Sequence, residues 1–354
     1  MREDAALDLK SAWDSIALDR LPDFMDKLSE RLESAIGGAD SEEQKSLRRR
    51  LHQLLPEARS QAERLIQDLR TVAARAGTLA NEMDFSFLLN PRRKLLSTGF
   101  DADAQKLHAA CYDLLASEAR IAVFVAIAKD DIPQESWFHL GRAHTVDHGR
   151  PVLISWTGTM FEYLMPALWM QNYPDTLLER SRAAAVRAQR AHVAGKRMPW
   201  GISESAYFKM DDSGNYQYFA FGLPQLALSA NEMESLVISP YSTFLALDVD
   251  PPEALKNLRR MSDMGWLGAY GFYEAADFTI SRNRSWHRRY ELVPAWMAHH
   301  QGMSLLAIAN FLHHGVVRSW FHVEPRVQAT ELLLHEKPVA HIRLPREGYG
   351  NATA

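Results

Sequence analysis

Pro199-Trp-Gly-Ile-Ser-Glu204-Ser-Ala-Tyr207 separates two helical patterns and fills the gap with aromatic rings, a glycine and a carboxylate. Asp175 to Ala194 before it and Ser239 to Asp248 after it carry apolar residues at helical spacing. The same alternation runs outward in both directions. Ala104 to Ala128, Gly158 to Gln171, Pro252 to Met264 and Pro294 to Leu312 are expected helices. Met198 to Trp200, Tyr216 to Pro224 and Gly265 to Phe272 are connecting loops rich in Gly, Pro, Trp and Tyr. Strand signals are few, and Arg150-Pro-Val-Leu-Ile-Ser-Trp156 is the best of them. Long helices joined by aromatic loops that carry acids predict an all-α fold, a toroid whose loops build a pocket at one end.

The first 80 residues read differently. Ser11 to Ile36 and Glu42 to Ala80 have helical periodicity with charges between the apolar positions. Gly37-Gly-Ala-Asp40-Ser41 supplies a stop and then a polar N-cap. The expectation is a helical hairpin over residues 1–80 acting as a connector, followed by a catalytic domain over residues 81–354.

Composition narrows the function. A chain 47% hydrophobic and 24% charged with net charge −4 is an ordinary globular protein, without the basic excess of a nucleic-acid binder. Its one cysteine, Cys111, excludes an intramolecular disulfide and a Cys-built zinc site. Met1-Arg-Glu-Asp4 opens no signal peptide, and the apolar run Ile121 to Ala128 is too short to span a bilayer. A soluble, cytoplasmic protein with no membrane insertion of its own is expected. The sequons Asn283-Arg-Ser285 and Asn351-Ala-Thr353 are then chance matches. Nucleotide-binding, nucleophile-elbow and zinc-protease motifs are missing, so neither cofactor nor metal is expected.

Glycosidic bond cleavage needs one carboxyl group to protonate the leaving oxygen and a second as nucleophile or base. Glu204 and Glu274, the latter in Tyr270-Gly-Phe-Tyr-Glu274-Ala-Ala-Asp277-Phe278, are the natural pair. Either could instead cap a helix or pair with one of the arginines. Glu162, amid Met, Phe, Tyr and Leu, is a third acid that could bind sugar hydroxyls or join the catalytic pair. Asp277 would share a helical turn with Glu274 and support it. His299, His300 and Gln301 open an apolar helix and suit hydroxyl binding better than metal, which wants His at i and i+4. His139, His144 and His148 form no ligand set, and His313-His314 suits a helix C-terminus. Trp156, Trp200, Tyr207, Tyr216, Tyr218 and Tyr273 are candidate platforms for pyranose rings, with core packing as the alternative.

From Met83 to Glu336 the chain resembles the glucoamylase-like domain of bacterial cyclic β-1,2-glucan synthases. The resemblance rests on ordered blocks: Met83-Asp-Phe-Ser-Phe-Leu-Leu89, Arg92 to Phe100, Tyr112 to Arg120, Phe124 to Lys129 and Trp137 to Arg142. Ser155 to Pro166, Trp200 to Tyr207, Phe272-Tyr-Glu274 and Met297 to Ser304 continue it. It implies an (α/α)6 barrel and retaining transglycosylation that joins a linear β-1,2-glucan to itself. Retention would set the two carboxylates roughly 5–5.5 Å apart unless a substrate hydroxyl relays the proton. It implies Glu204 as acid/base, Glu274 as nucleophile, and glycosyltransferase and phosphorylase-like modules as partners in a larger synthase at the inner membrane. The chain departs from the pattern at Phe221 to Leu228, at Asn231-Glu-Met-Glu234 and in the Arg- and His-rich Ser281 to Tyr290 loop, all expected to border the groove. A glucan hydrolase and a non-catalytic glucan-binding domain are the competing readings.

Overall fold

The computed structural model describes residues 16–35, 41–147, 150–196, 198–229, 236–279 and 290–338. His148, both sequons, Asn231 to Glu234 and Ser281 to Arg289 lie outside them. The chain divides into two compact units, Met1–Met83 and Asp84–Ala354.

In the first unit α1 (Leu21–Ala35) packs on α2 (Glu42–Glu82). The contact is made by Met25, Leu28 and Leu32, three to four residues apart on α1, and by Leu55 on α2. Ser41 starts α2 with a capping box: its hydroxyl accepts the Gln44 N–H and the Gln44 amide accepts the Ser41 N–H. Two of the four donors a helix start leaves orphaned are thereby satisfied.

The second unit is mainly helical, with short antiparallel strands between the helices. Its principal helices are α3 (Arg120–Ala128), α4 (Met160–Leu164), α5 (Leu177–His192), α6 (Pro240–Leu245), α7 (Pro251–Asp263) and α8 (Ala298–Leu312). α8 packs on α6, and α6 on α4 and α7. Phe124, Trp137, Met160, Tyr163, Leu164, Ile202 and Trp266 are fully buried among them. Among the described residues no helix is long and apolar enough to cross a membrane.

Expected helix boundaries hold to within a few residues for α2, α5, α7, α6 with its 3-10 extension Ala246–Asp248, and the C-terminal end of α8, and two expected helices fail for local reasons. Ala104 to Ala119 is not helical. The Asp101 carboxylate accepts the Asp103 and Ala104 N–H groups, and Gln105 takes φ 50°, which closes a hairpin pairing Phe100 with Leu107. The Gly158 to Gln171 segment is one short α-helix and a 3-10 turn, Met165–Leu168, where Pro166 removes a backbone donor. The expected strand is present as Arg150–Leu153, paired with His144–Asp147.

The strands that matter were not legible as alternation. β1 (Ser205–Met210) and β2 (Tyr216–Phe219) form a bulged hairpin pairing Ala206 with Tyr218. β3 (Val237–Ile238), β4 (Ala275–Asp277) and β5 (Glu291–Val293) form a three-stranded sheet with β4 in the centre. β3 and β4 are buried throughout, and Phe208 to Met210 of β1 are exposed in succession, so none of the three leaves a period-two pattern to read.

Candidate active site

The segment that carries Glu204 has no strand partner along most of its length, and buried amides take that role. Gln189 of α5 accepts the Ile202 N–H at 2.9 Å and donates to the Ile202 carbonyl at 2.8 Å. Asn257 of α7 does the same for Trp200, at 3.2 and 2.8 Å. Gly201 between them has φ 123°, and a Cβ there would sit 2.6 Å from the Ser242 hydroxyl. Only glycine lets the backbone pass so close to α6. The Trp200 ring is buried in the core, so it is no platform for a sugar.

Glu204 emerges from this clamp half-buried. Its Oε1 accepts the Tyr218 hydroxyl at 3.0 Å, and its carbonyl accepts the Tyr241 hydroxyl at 3.1 Å. Burial raises its carboxyl above the ordinary 4.5, against the Tyr218 hydrogen bond that lowers it; the charge of Glu118 adds to the rise. Glu118, in the Tyr112 to Arg120 block, was not singled out from sequence. It too is half-buried, and its carboxyl is raised by burial, with the Glu162 charge adding to the effect. The Glu118 charge is one of the influences on Glu204, so the two half-buried carboxyls lie within electrostatic reach of each other. The available signal was an acid inside an apolar run ending in Arg120. That arginine is buried and lowered to about 9, chiefly by burial, while it donates to the Ser117, Glu162 and Tyr163 carbonyls.

Glu274 lies deeper, with its side chain 1% exposed. Its oxygens receive His300 Nδ1 at 2.8 and 3.0 Å and the Ala206 N–H at 3.2 Å. A nucleophile needs a free lone pair facing the sugar, and this carboxylate shows none to solvent. Asp277 is not on a helical turn with it but on β4. It is buried and accepts the Phe208 and Thr279 N–H groups. Glu274 and Asp277 thus both serve as hydrogen-bond partners for the edge of β1.

Glu162 is buried and saturated. Its carboxylate accepts the Trp156, Thr157 and Thr159 N–H groups and the Ser155, Thr157 and Thr159 hydroxyls, within 2.9 to 3.4 Å. It builds the loop that presents Trp156, a residue 39% exposed, and keeps no capacity for a sugar hydroxyl.

Of the remaining candidates, His299 is exposed beside Tyr218 and His300. Burial and then the His300 charge lower its pKa. Gln301 donates to the Phe272 carbonyl and anchors the Gly265 to Phe272 loop. Tyr273 packs on Trp296, which also meets Tyr270, making a partly open aromatic wall. Tyr207 is half-buried, held by Gln217 and the edge of Phe221, and Tyr216 packs on Phe208. Among the described residues no group of His, Cys, Asp and Glu converges as a metal site.

Glu204, half-buried and hydrogen-bonded to the exposed Tyr218, brings a carboxyl against an open aromatic ring, the kind of arrangement that carbohydrate chemistry uses. Residues 111–325 match the family described as "Putative glucoamylase", and the chain belongs to that glucoamylase-like family. It is also 44% identical over 299 residues to "Cyclic beta-(1,2)-glucan synthase NdvB" of Rhizobium meliloti (strain 1021), a match covering 82% of this chain. The match covers 10% of the length of that relative.

Proposed function

We propose that this chain is a retaining transglycosylase that cuts a linear β-1,2-glucan and joins the new end to the chain's own far end. The observation that carries the reading is the pair Glu118 and Glu204, both half-buried, both raised, with the Glu118 charge felt at Glu204. Glu204, supplied with a hydroxyl donor by Tyr218, is assigned as the carboxylate nucleophile. Glu118, with the Glu162 charge beside it, is assigned as the acid. Glu274 is reassigned from nucleophile to supporting residue on account of its burial.

In the first step Glu118 protonates the glycosidic oxygen as Glu204 attacks the anomeric carbon, giving a glycosyl ester and a released chain end. In the second, a hydroxyl at the non-reducing end of the bound chain attacks the ester and returns its proton to Glu118. Two inversions give net retention. Water in place of that hydroxyl would give hydrolysis, so the outcome depends on how well the bound glucan fills the site.

The reading includes an (α/α)6 arrangement for the helices of the second unit, with residues 81–354 as the catalytic domain and residues 1–80 as a connector. It also places the chain's chemistry beside glycosyltransferase and phosphorylase-like modules of a larger synthase at the inner membrane. The test is incubation with linear β-1,2-glucan and mass analysis of the products. Cyclic products, lost in Glu118→Gln and Glu204→Gln variants that still fold, are the expected result. Linear fragments that have each gained a water would make it a hydrolase. Glucan that binds and stays intact would make it a binding domain.

A further inference from the structure

A continuous hydrogen-bonded path leads from Glu204 into the protein. Tyr218 donates to Glu204 Oε1 at 3.0 Å, and the same phenol oxygen lies 3.3 Å from His300 Nε2. His300 Nδ1 meets both oxygens of Glu274 at 2.8 and 3.0 Å. The Tyr241 ring stacks on His300 at 3.8 Å and 9° and fixes the imidazole plane. Ser239 donates to the Glu274 carbonyl at 2.8 Å and Ala206 N–H to its carboxylate, which fixes the far end.

Counting protons along this path gives it a direction. Tyr218 has one proton and spends it on Glu204. His300 Nε2 must then present an N–H to the phenol oxygen, while Nδ1–H faces Glu274.

We propose that Tyr218, His300 and Glu274 form a relay that holds Glu204 in its carboxylate form and fixes its orientation. The proposal rests on the assignment of Glu204 as nucleophile. The three are positioning residues, since each acts on the sugar only through Glu204. The titratable groups around Glu204 are Tyr218 from β2, Tyr241 from α6, His300 from α8, Glu118 before α3 and Glu162 on α4; His299 of α8 lies beside Tyr218 and Glu274 before β4 meets His300. Burial and the charges of Glu118 and Glu162 raise the Glu204 carboxyl, and the Tyr218 hydrogen bond and the His300 charge work against that rise.

The test is carbon NMR of the full chain labelled at glutamate carboxyl carbons, with Glu204 assigned by its disappearance in Glu204→Gln. In Tyr218→Phe the Glu204 midpoint is expected to rise by about one pH unit, a tenfold change in its ionisation equilibrium. His300→Gln is expected to move it the same way. A Glu204 midpoint unchanged in a folded Tyr218→Phe protein overturns the relay, and that variant decides alone if His300→Gln does not fold. Turnover of linear β-1,2-glucan is followed on the same samples. A midpoint that moves in a protein that leaves the glucan intact sinks the substrate reading and keeps the relay. Cyclisation with an unmoved midpoint does the reverse.

Discussion

Glu118 and Glu204 carry the most specific expectations at the scale of single residues. Removing either carboxyl should lower turnover by about a thousandfold or more, with substrate binding largely kept. Azide distinguishes the roles: Glu204→Gly supplied with azide should yield a glycosyl azide of inverted configuration, and Glu118→Ala one of retained configuration. The opposite pattern would exchange the two assignments. Both carboxyls are raised above 4.5, so the two limbs of the kcat/KM profile should both lie above that pH. Glu204 and the aromatic loops were legible in the sequence because an acid among glycines and rings is a local pattern. Glu118 was not, because its signal lies in burial and in the charge of Glu162, which comes from elsewhere in the chain.

At the scale of elements, saturated polar side chains replace regular pairing wherever a loop must be held rigid. Glu162 does this for the Ser155 to Thr159 loop, and Gln189 and Asn257 for the segment before Glu204. Glu162→Gln leaves several donors without a charged acceptor and should cost about 2–3 kcal/mol, read from denaturant unfolding. It should also weaken glucan binding, because the Trp156 ring loses its support. Gln189→Ala strands both polar groups of Ile202 and should cost about 1–3 kcal/mol. These are three uncharged or apolar-flanked positions on helices, and helical periodicity describes them only as buried. What each side chain reaches depends on residues brought up from outside its own helix.

For the whole molecule, a charged cluster ties distant helices together. Asp248 accepts Arg182 of α5 and Arg318 of the Val316–His322 helix, each at 2.9 Å. Burial alone would raise its carboxyl, but the Arg182 and Arg318 charges outweigh it and the net shift is below 3.8. A depressed folded-state value means that this stabilisation is present above the ordinary aspartate range and is lost as pH falls through the lower value. Asp248→Asn should therefore cost about 2–3 kcal/mol at neutral pH, and the difference from the parent should shrink below pH 4. Equal unfolding midpoints at neutral pH would contradict the ion-pair account. Residues 84–354 expressed alone should keep glucan turnover and their own cooperative unfolding transition, as their compactness within one unit suggests. Loss of both would make the helical hairpin part of the catalytic fold.

The sequence by itself determined the mainly helical class, the capped hairpin at the N-terminal side and the family. Those signals are carried by residues a turn apart or by contiguous blocks, so no folded neighbour is needed to read them. Only the tertiary structure decided which acids face the open side. Glu274 is buried because it meets Ala206 and His300, 68 and 26 positions away, while Tyr218 reaches His300 across 82. Two glutamates in matching aromatic settings look alike along the chain. Burial and hydrogen-bond saturation, which separate a free carboxylate from a structural one, are set by contacts between distant segments and exist only once the chain is folded.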